Sequence, residues 1–204
     1  MNTRLKICGL TRPEDVDAAI AAGADALGFV FYPPSPRAVS AEQAAALIRR
    51  IPPFVETVGL FVNEDPQVVL RICQLVPLSL LQFHGDETPE YCRQFDRPFI
   101  KAARVRPELD LVEFALAFAD ARAILLDAFV EGFGGSGETF DWQLIPDNLP
   151  LPIILSGGLN VSNVADAVRL TKPLAIDVSS GVEASKGIKD HVKIAAFITA
   201  LKAA

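Results

Sequence analysis

Short apolar runs alternate with amphipathic stretches along the whole chain. The runs are Leu5 to Cys8, Ala26 to Phe31, Val55 to Val62, Leu78 to Phe83, Pro98 to Ala103, Ala123 to Asp127, Pro152 to Leu155 and Leu174 to Val178. Their lengths are those of buried strands. The stretches between them carry helix signals. Thr11 with Glu14, and Ser40 with Gln43, have the spacing of a capping box, which satisfies orphan N–H groups at a helix start. Asp65-Pro66 and Thr88-Pro89 pair a cap with a proline at the first helical position. Apolar residues then recur at helical intervals, as in Val16, Ala19 and Ile20, in Ala44, Leu47 and Ile48, and in Ile194, Phe197, Ile198 and Leu201, giving faces that can cover a sheet.

Eight strand-then-helix units in succession imply parallel strands, because each return crossover is helical. At roughly 25 residues per unit they favour a compact (β/α)8 TIM barrel of the α/β class over an open doubly wound sheet. No linker, charge block or low-complexity tract divides the pattern, so residues 1–204 are expected to form one domain. The sixth unit is the weakest, since Asp141 to Ile145 is too short for a full helix.

In such a barrel chemistry gathers at the C-terminal ends of the strands. Several of these ends are polar: Cys8, His84, Asp127, Ser156, and Asp177 to Ser180. Strand side chains alternate faces. Lys6 therefore shares a face with Cys8, Gln82 with His84, Leu125 with Asp127, and Asp177 with Ser179, while Leu5, Ile7, Ile124, Leu126, Ile176 and Val178 turn toward the helices.

The loops after strands seven and eight read S-G-G-L-N (156–160) and D-V-S-S-G-V-E (177–183). Glycines let backbone N–H groups approach an anion, and in barrels these two loops are the usual phosphate cradle. Gly157, Gly158, Ser180 and Gly181 are the candidate contacts, and a small phosphorylated substrate is implied. In P-P-S-P-R (33–37) the prolines stiffen a loop that presents Arg37, whose fork suits either a substrate carboxylate or a nearby Glu. The glycine-rich stretch Glu131 to Trp142 is expected to be a flap anchored by Phe140 and Trp142.

Composition narrows the partners. A net charge of -6 and a pI near 5.0, with no Lys/Arg cluster, give no footprint for nucleic acid. No apolar run approaches the ~20 residues of a membrane helix. The start M-N-T-R-L-K-I-C has no signal-peptide core, so a cytoplasmic protein is expected. The three cysteines are odd in number and form no C-x-x-C pair, and His84 and His191 are the only histidines, a poor set for a metal. Cys73 and Cys92 lie in apolar patterns and are read as packing residues. Monomer and homodimer are equally compatible with this composition.

Six segments in order resemble the phosphoribosylanthranilate isomerase family: K-I-C-G-L-T-R at the start, F-Y-P-P-S-P-R, Q-F-H-G, G-G-S-G-E-T-F-D-W, L-S-G-G-L and D-V-S-S-G-V-E. Departures are small, with Ser136 where threonine is common and Phe83 where leucine is. The resemblance implies an Amadori rearrangement of N-(5'-phosphoribosyl)anthranilate in tryptophan biosynthesis, with no metal or cofactor. It implies Cys8 as general base, Asp127 as general acid, Arg37 on the anthranilate carboxylate, and the two glycine loops on the phosphate.

A thiolate base at neutral pH needs help, because a free thiol titrates near ~8.5. The site is expected to favour ionisation, with Lys6 and the substrate's own cationic imine as possible helpers. Asp177 either orients the substrate amine or braces the phosphate loop. His84 is read as a hydrogen-bonded rim residue before a catalytic one, and Lys101 as a strand-five lysine that could face inward. The rival readings are another phosphate-binding barrel enzyme, or a barrel that binds a phosphorylated metabolite without turnover.

Overall fold

The computed structural model describes residues 3–128 and 139–204. Eight parallel strands follow one another around a closed barrel: β1 (Arg4–Cys8), β2 (Ala26–Val30), β3 (Glu56–Phe61), β4 (Leu80–Phe83), β5 (Phe99–Val105), β6 (Ile124–Ala128), β7 (Ile153–Leu155) and β8 (Ala175–Val178). Pairing of β8 with β1 closes the ring, with Lys6 opposite Asp177. Each strand starts and ends within two residues of its apolar run.

The helices α1 (Pro13–Ala22), α2 (Ala41–Ile48), α3 (Pro66–Leu75), α4 (Pro89–Arg93), α5 (Leu111–Ala117), α6 (Val164–Thr171) and α7 (His191–Lys202) pack outside. Among the described residues the sixth unit shows a 3-10 turn at Trp142–Leu144, where the spacing is too short for a full helix. Local chemistry accounts for several helix starts. Ser40 and Gln43 form a reciprocal capping box, Asp65 accepts from Gln67 N–H, and Thr88 accepts from Tyr91 N–H. Thr11 departs from expectation. Its hydroxyl donates to the Gly187 carbonyl at 2.6 Å, and α1 starts at Pro13 without a side-chain cap. That hydroxyl instead ties the loop after β1 to a hairpin, β9 (Glu183–Ser185) with β10 (Ile188–Lys189), which follows β8.

Alternation along the strands divides the core in two. Leu5, Ile7, Ile124, Leu126, Ile176 and Val178 are buried against helix residues such as Val16, Val69 and Phe197, while Ile100, Ala102, Leu125, Ile154 and Ala175 form a separate apolar cluster inside the barrel. Lys101, between two interior residues, faces outward and not inward. Its ammonium lies 3.3 Å from Glu87 and 5.6 Å from the Phe118 ring centroid, and it donates to the Gly85 carbonyl at 2.7 Å. Lys101 therefore braces the turn after β4. Cys73 and Cys92 are buried on α3 and α4. Of the expected flap, residues 131–138 lie outside the described residues, while Phe140 and Trp142 pack against the core. Among the described residues no helix is long and apolar enough to cross a membrane.

Candidate active site

The strand ends open onto one cleft, lined among others by Cys8, Arg37, Gln82, His84, Asp127, Gly157, Gly158, Asp177 and Ser180. Gly181 is not in this lining. It is where the β8 loop presses on the β7 loop, since a Cβ there would lie 1.9 Å from the Leu159 carbonyl oxygen.

Cys8 ends β1, 5% exposed, with Gly9 turning the chain away at φ 75°. Gly28, its neighbour on β2, makes room for it: a Cβ at Gly28 would sit 2.8 Å from Sγ and 3.1 Å from Lys6 Cε. A glycine inside a strand is a signal of such close approach. Lys6 is fixed by an ion pair with Asp177, 2.9 Å from Nζ to Oδ1, both buried. The thiol does not favour ionisation here. Burial pushes its pKa above the usual thiol range, and the attraction of Lys6 opposes this without overcoming it. The protein's own groups therefore do not acidify Cys8 as expected, although Lys6 does act in the expected direction.

Asp127 ends β6. Its Oδ1 accepts from the Ala128 N–H at 2.9 Å, and its Oδ2 lies 3.0 Å from His84 Nε2. His84 Nδ1 in turn lies 2.9 Å from Gln82 Nε2. His84 is thus a hydrogen-bonded residue of the cleft, as read from the sequence, and its partner is the candidate acid. Gly157, at φ 82°, lets the β7 loop pass beside the same carboxylate: a Cβ there would be 2.9 Å from Asp127 Oδ1. Amides of Asn160 and Asn163 hold the Gly158 carbonyl, at 3.3 and 3.1 Å. The loop shape is set from outside the cleft.

Arg37 reaches the cleft, but one edge of its fork is taken. Nε and Nη2 donate to Glu183 at 2.7 and 2.8 Å. Lys189 also pairs with Glu183, at 3.0 Å, and donates to the Ser179 carbonyl, while the Ser179 hydroxyl donates to the Cys8 carbonyl. Burial would raise the Glu183 carboxyl, but Arg37 and Lys189 more than reverse this and hold it below the usual range. Of the two open readings of Arg37, the glutamate partner is observed, on a buried rather than a surface arginine, and the side chain also lines the cleft. Gly28, Gln82 and the hairpin partners Glu183 and Lys189 were not legible as site residues, although the glycine inside β2 and the K-G turn at Lys186-Gly187 mark two of the places. Among the described residues no group of three or more His, Cys, Asp or Glu could hold a metal ion.

Comparison with known proteins agrees with this geometry. The chain is 68% identical over 204 residues to a protein of Dechloromonas aromatica named N-(5'-phosphoribosyl)anthranilate isomerase, covering 100% of this chain and 98% of that one. A solved structure described as monomers of the dimeric phosphoribosylanthranilate isomerase of Thermotoga maritima superposes with a TM-score of 0.87, at 42% identity, covering 99% of this chain and 100% of that one. A further isomerase structure, in complex with reduced 1-(o-carboxyphenylamino)-1-deoxyribulose 5-phosphate, gives 0.87 at 44% identity, with 99% and 100% covered. The family model described as N-(5'phosphoribosyl)anthranilate (PRA) isomerase matches residues 5–200. Barrel, cleft and match extend over the same residues, and the chain belongs to the N-(5'-phosphoribosyl)anthranilate isomerase family.

Proposed function

We propose that this chain converts N-(5'-phosphoribosyl)anthranilate to 1-(2-carboxyphenylamino)-1-deoxyribulose 5-phosphate in tryptophan biosynthesis, with Asp127 as general acid and Cys8 as general base. The observation that carries this reading is the placement of a carboxyl and a thiol, from the non-adjacent strands β6 and β1, in one cleft bordered by the β7 and β8 loops.

The chemistry needs both groups. Asp127 gives a proton to the furanose ring oxygen as the C1–O bond breaks, leaving a protonated imine at C1. That cation acidifies the C2 hydrogen, which the Cys8 thiolate removes as the C1–C2 enamine forms. A proton returned to C1 and one lost from the C2 hydroxyl give the ketone, so substrate and product are isomers. The imine charge also offsets the burial that holds Cys8 protonated. Asp177 works through Lys6, keeping its ammonium beside the thiol.

Arg37 has five N–H donors, of which Glu183 takes two, so three remain for the anthranilate carboxylate. Ser156 to Gly158, with Ser179 and Ser180, hold the phosphate, and Gly181 serves by letting the β8 loop pass against the β7 loop. The reduced product analogue held by the similar isomerase has both anionic groups, carboxylate and phosphate. Residues 1–204 then serve as one domain, and a charged phosphate ester that does not cross membranes is met in the cytoplasm.

The reading is tested by following anthranilate fluorescence with phosphoribosylanthranilate generated in situ. Rapid loss of signal is expected. No conversion by the folded protein would leave only a barrel that binds a phosphorylated metabolite.

A homodimer fits best as the assembly. Phe54 is fully exposed at a left-handed φ of 71°, two residues before Glu56. Glu56 borders a cavity at the N-terminal end of the barrel, lined by Leu5, Val58, Leu80, Pro98, Ile100 and Ile154. An aromatic ring held wholly in water beside an apolar cavity suits reciprocal insertion by a second copy, and the similar Thermotoga maritima enzyme is described as dimeric.

A further inference from the structure

Gln82 is wholly buried on β4, and its Nε2 lies 2.9 Å from His84 Nδ1 while its Oε1 has no hydrogen-bond partner among the described residues. His84 Nε2 lies 3.0 Å from Asp127 Oδ2. The three side chains form a short line from the barrel interior to the candidate acid.

We propose that Gln82 is a positioning residue for the acid, setting through the His84 tautomer whether Asp127 holds a proton. This rests on the assignment of Asp127 as the acid. With the amide nitrogen toward the ring, Nδ1 must accept, so the ring proton sits on Nε2 and donates to Oδ2. That arrangement favours the carboxylate. With the amide turned over, Oε1 accepts from Nδ1–H, and the bare Nε2 accepts from Oδ2–H. In that arrangement a second proton lies between Nε2 and Oδ2, from which Asp127 can pass it to the ring oxygen in ring opening. The first state carries one proton over His84 and Asp127 and the second carries two, so the change is a titration with solvent and not a step of the reaction.

An amide suits this place because it offers a donor at one end and an acceptor at the other without itself titrating. The unpartnered Oε1 is the telling feature. Among the described residues no neighbour fixes the amide's orientation, so turning it over exchanges one unpaired end for the other, and the protonation of the His84–Asp127 pair decides between them. Among the described residues the other ionisable groups lining the cleft are Cys8 on β1, Tyr32 and Arg37 after β2, and Asp177 on β8, the last paired with Lys6, while Arg104 stands on β5 in register with Asp127 and pairs with Asp86.

The test uses Gln82→Met, which removes donor and acceptor at similar volume, and Gln82→Glu, which offers an acceptor alone. With only His84 and His191 in the chain, nitrogen-15 spectra resolve the ring without ambiguity. Wild type should pass from an Nε2–H ring at high pH to an Nδ1-protonated ring as the pair takes up its proton. Gln82→Glu should stay Nδ1-protonated to higher pH, and the basic limb of kcat should move to higher pH with it. Gln82→Met should lose the defined tautomer, with kcat down about tenfold or more and KM nearly unchanged. Ring shifts and a kcat profile that match wild type in both folded variants would overturn the proposal. The nitrogen shifts need no turnover, so they are read even if Asp127→Asn proves active and the acid assignment falls.

Discussion

Arg37 and Glu183, 146 residues apart, meet in a two-point ion pair at the edge of the cleft, Nε to Oε1 at 2.7 Å and Nη2 to Oε2 at 2.8 Å. The pair joins the proline-stiffened loop after β2 to the hairpin after β8. It holds the guanidinium plane in one orientation, with its remaining donors available to a ligand.

Removing one partner of a buried pair leaves the other charge uncompensated, at a cost of about 3–5 kcal/mol. Glu183→Ala should therefore lower the denaturant midpoint clearly and raise KM more than it lowers kcat. An unchanged midpoint and KM would mean that Arg37 is positioned by its loop alone.

The pH dependence of stability follows from the same carboxyl. Its pKa is depressed in the folded chain, so its contribution is present above the ordinary glutamate value of about 4.3 and is lost as pH falls through the depressed value. Urea midpoints measured from pH 6 downward should fall less steeply in Glu183→Gln than in wild type. Parallel curves would count against the pairing.

Cys8 behaves in the opposite sense. Burial raises its pKa, so the thiolate fraction at neutral pH is below that of a free thiol and increases only as pH rises toward the raised value. Alkylation of Cys8 by iodoacetamide, followed by peptide mass mapping to separate it from Cys73 and Cys92, should be slow at pH 7 and climb past pH 9. Faster reaction at pH 7 than a model thiol would overturn this.

Gly28→Ala tests the packing around the thiol. The added Cβ would meet Sγ at 2.8 Å, and a displacement on the ångström scale costs about a hundredfold in rate. The kcat of a folded Gly28→Ala should drop by about that factor; a drop of less than threefold would show that the thiol can shift freely.

Phe54→Asp should yield a monomer by light scattering with turnover retained, since Phe54 stands at the opposite end of the barrel from the cleft. A dimer that survives this change would place the interface elsewhere.

The barrel was readable from the chain because each strand is short, apolar and followed by its own helix signal, with errors confined to strand ends and to Thr11, whose hydroxyl found a tertiary partner at Gly187 in place of a cap. Alternation also placed Lys6 with Cys8 and Leu125 with Asp127. It did not place Lys101, because the apolar run was read as ending at Ala103 and so left out Arg104, the polar residue opposite Asp127 from which the count puts Lys101 outward. The pairings that shape the cleft were hidden for another reason. Arg37 with Glu183, and Gly28 beneath Cys8, depend on which loops and strands meet in space, and local periodicity carries no record of that. The raised thiol was missed because the charge of Lys6 is visible in the chain and the degree of burial is not.

The acid–base pair itself is tested most directly by the turnover number on phosphoribosylanthranilate of Cys8→Ala and Asp127→Asn, each checked for wild-type folding. Both should lose at least about a hundredfold in kcat, with product-analogue binding retained in each. Near-normal turnover in Cys8→Ala would remove the thiol as base, and near-normal turnover in Asp127→Asn would remove the carboxyl as acid.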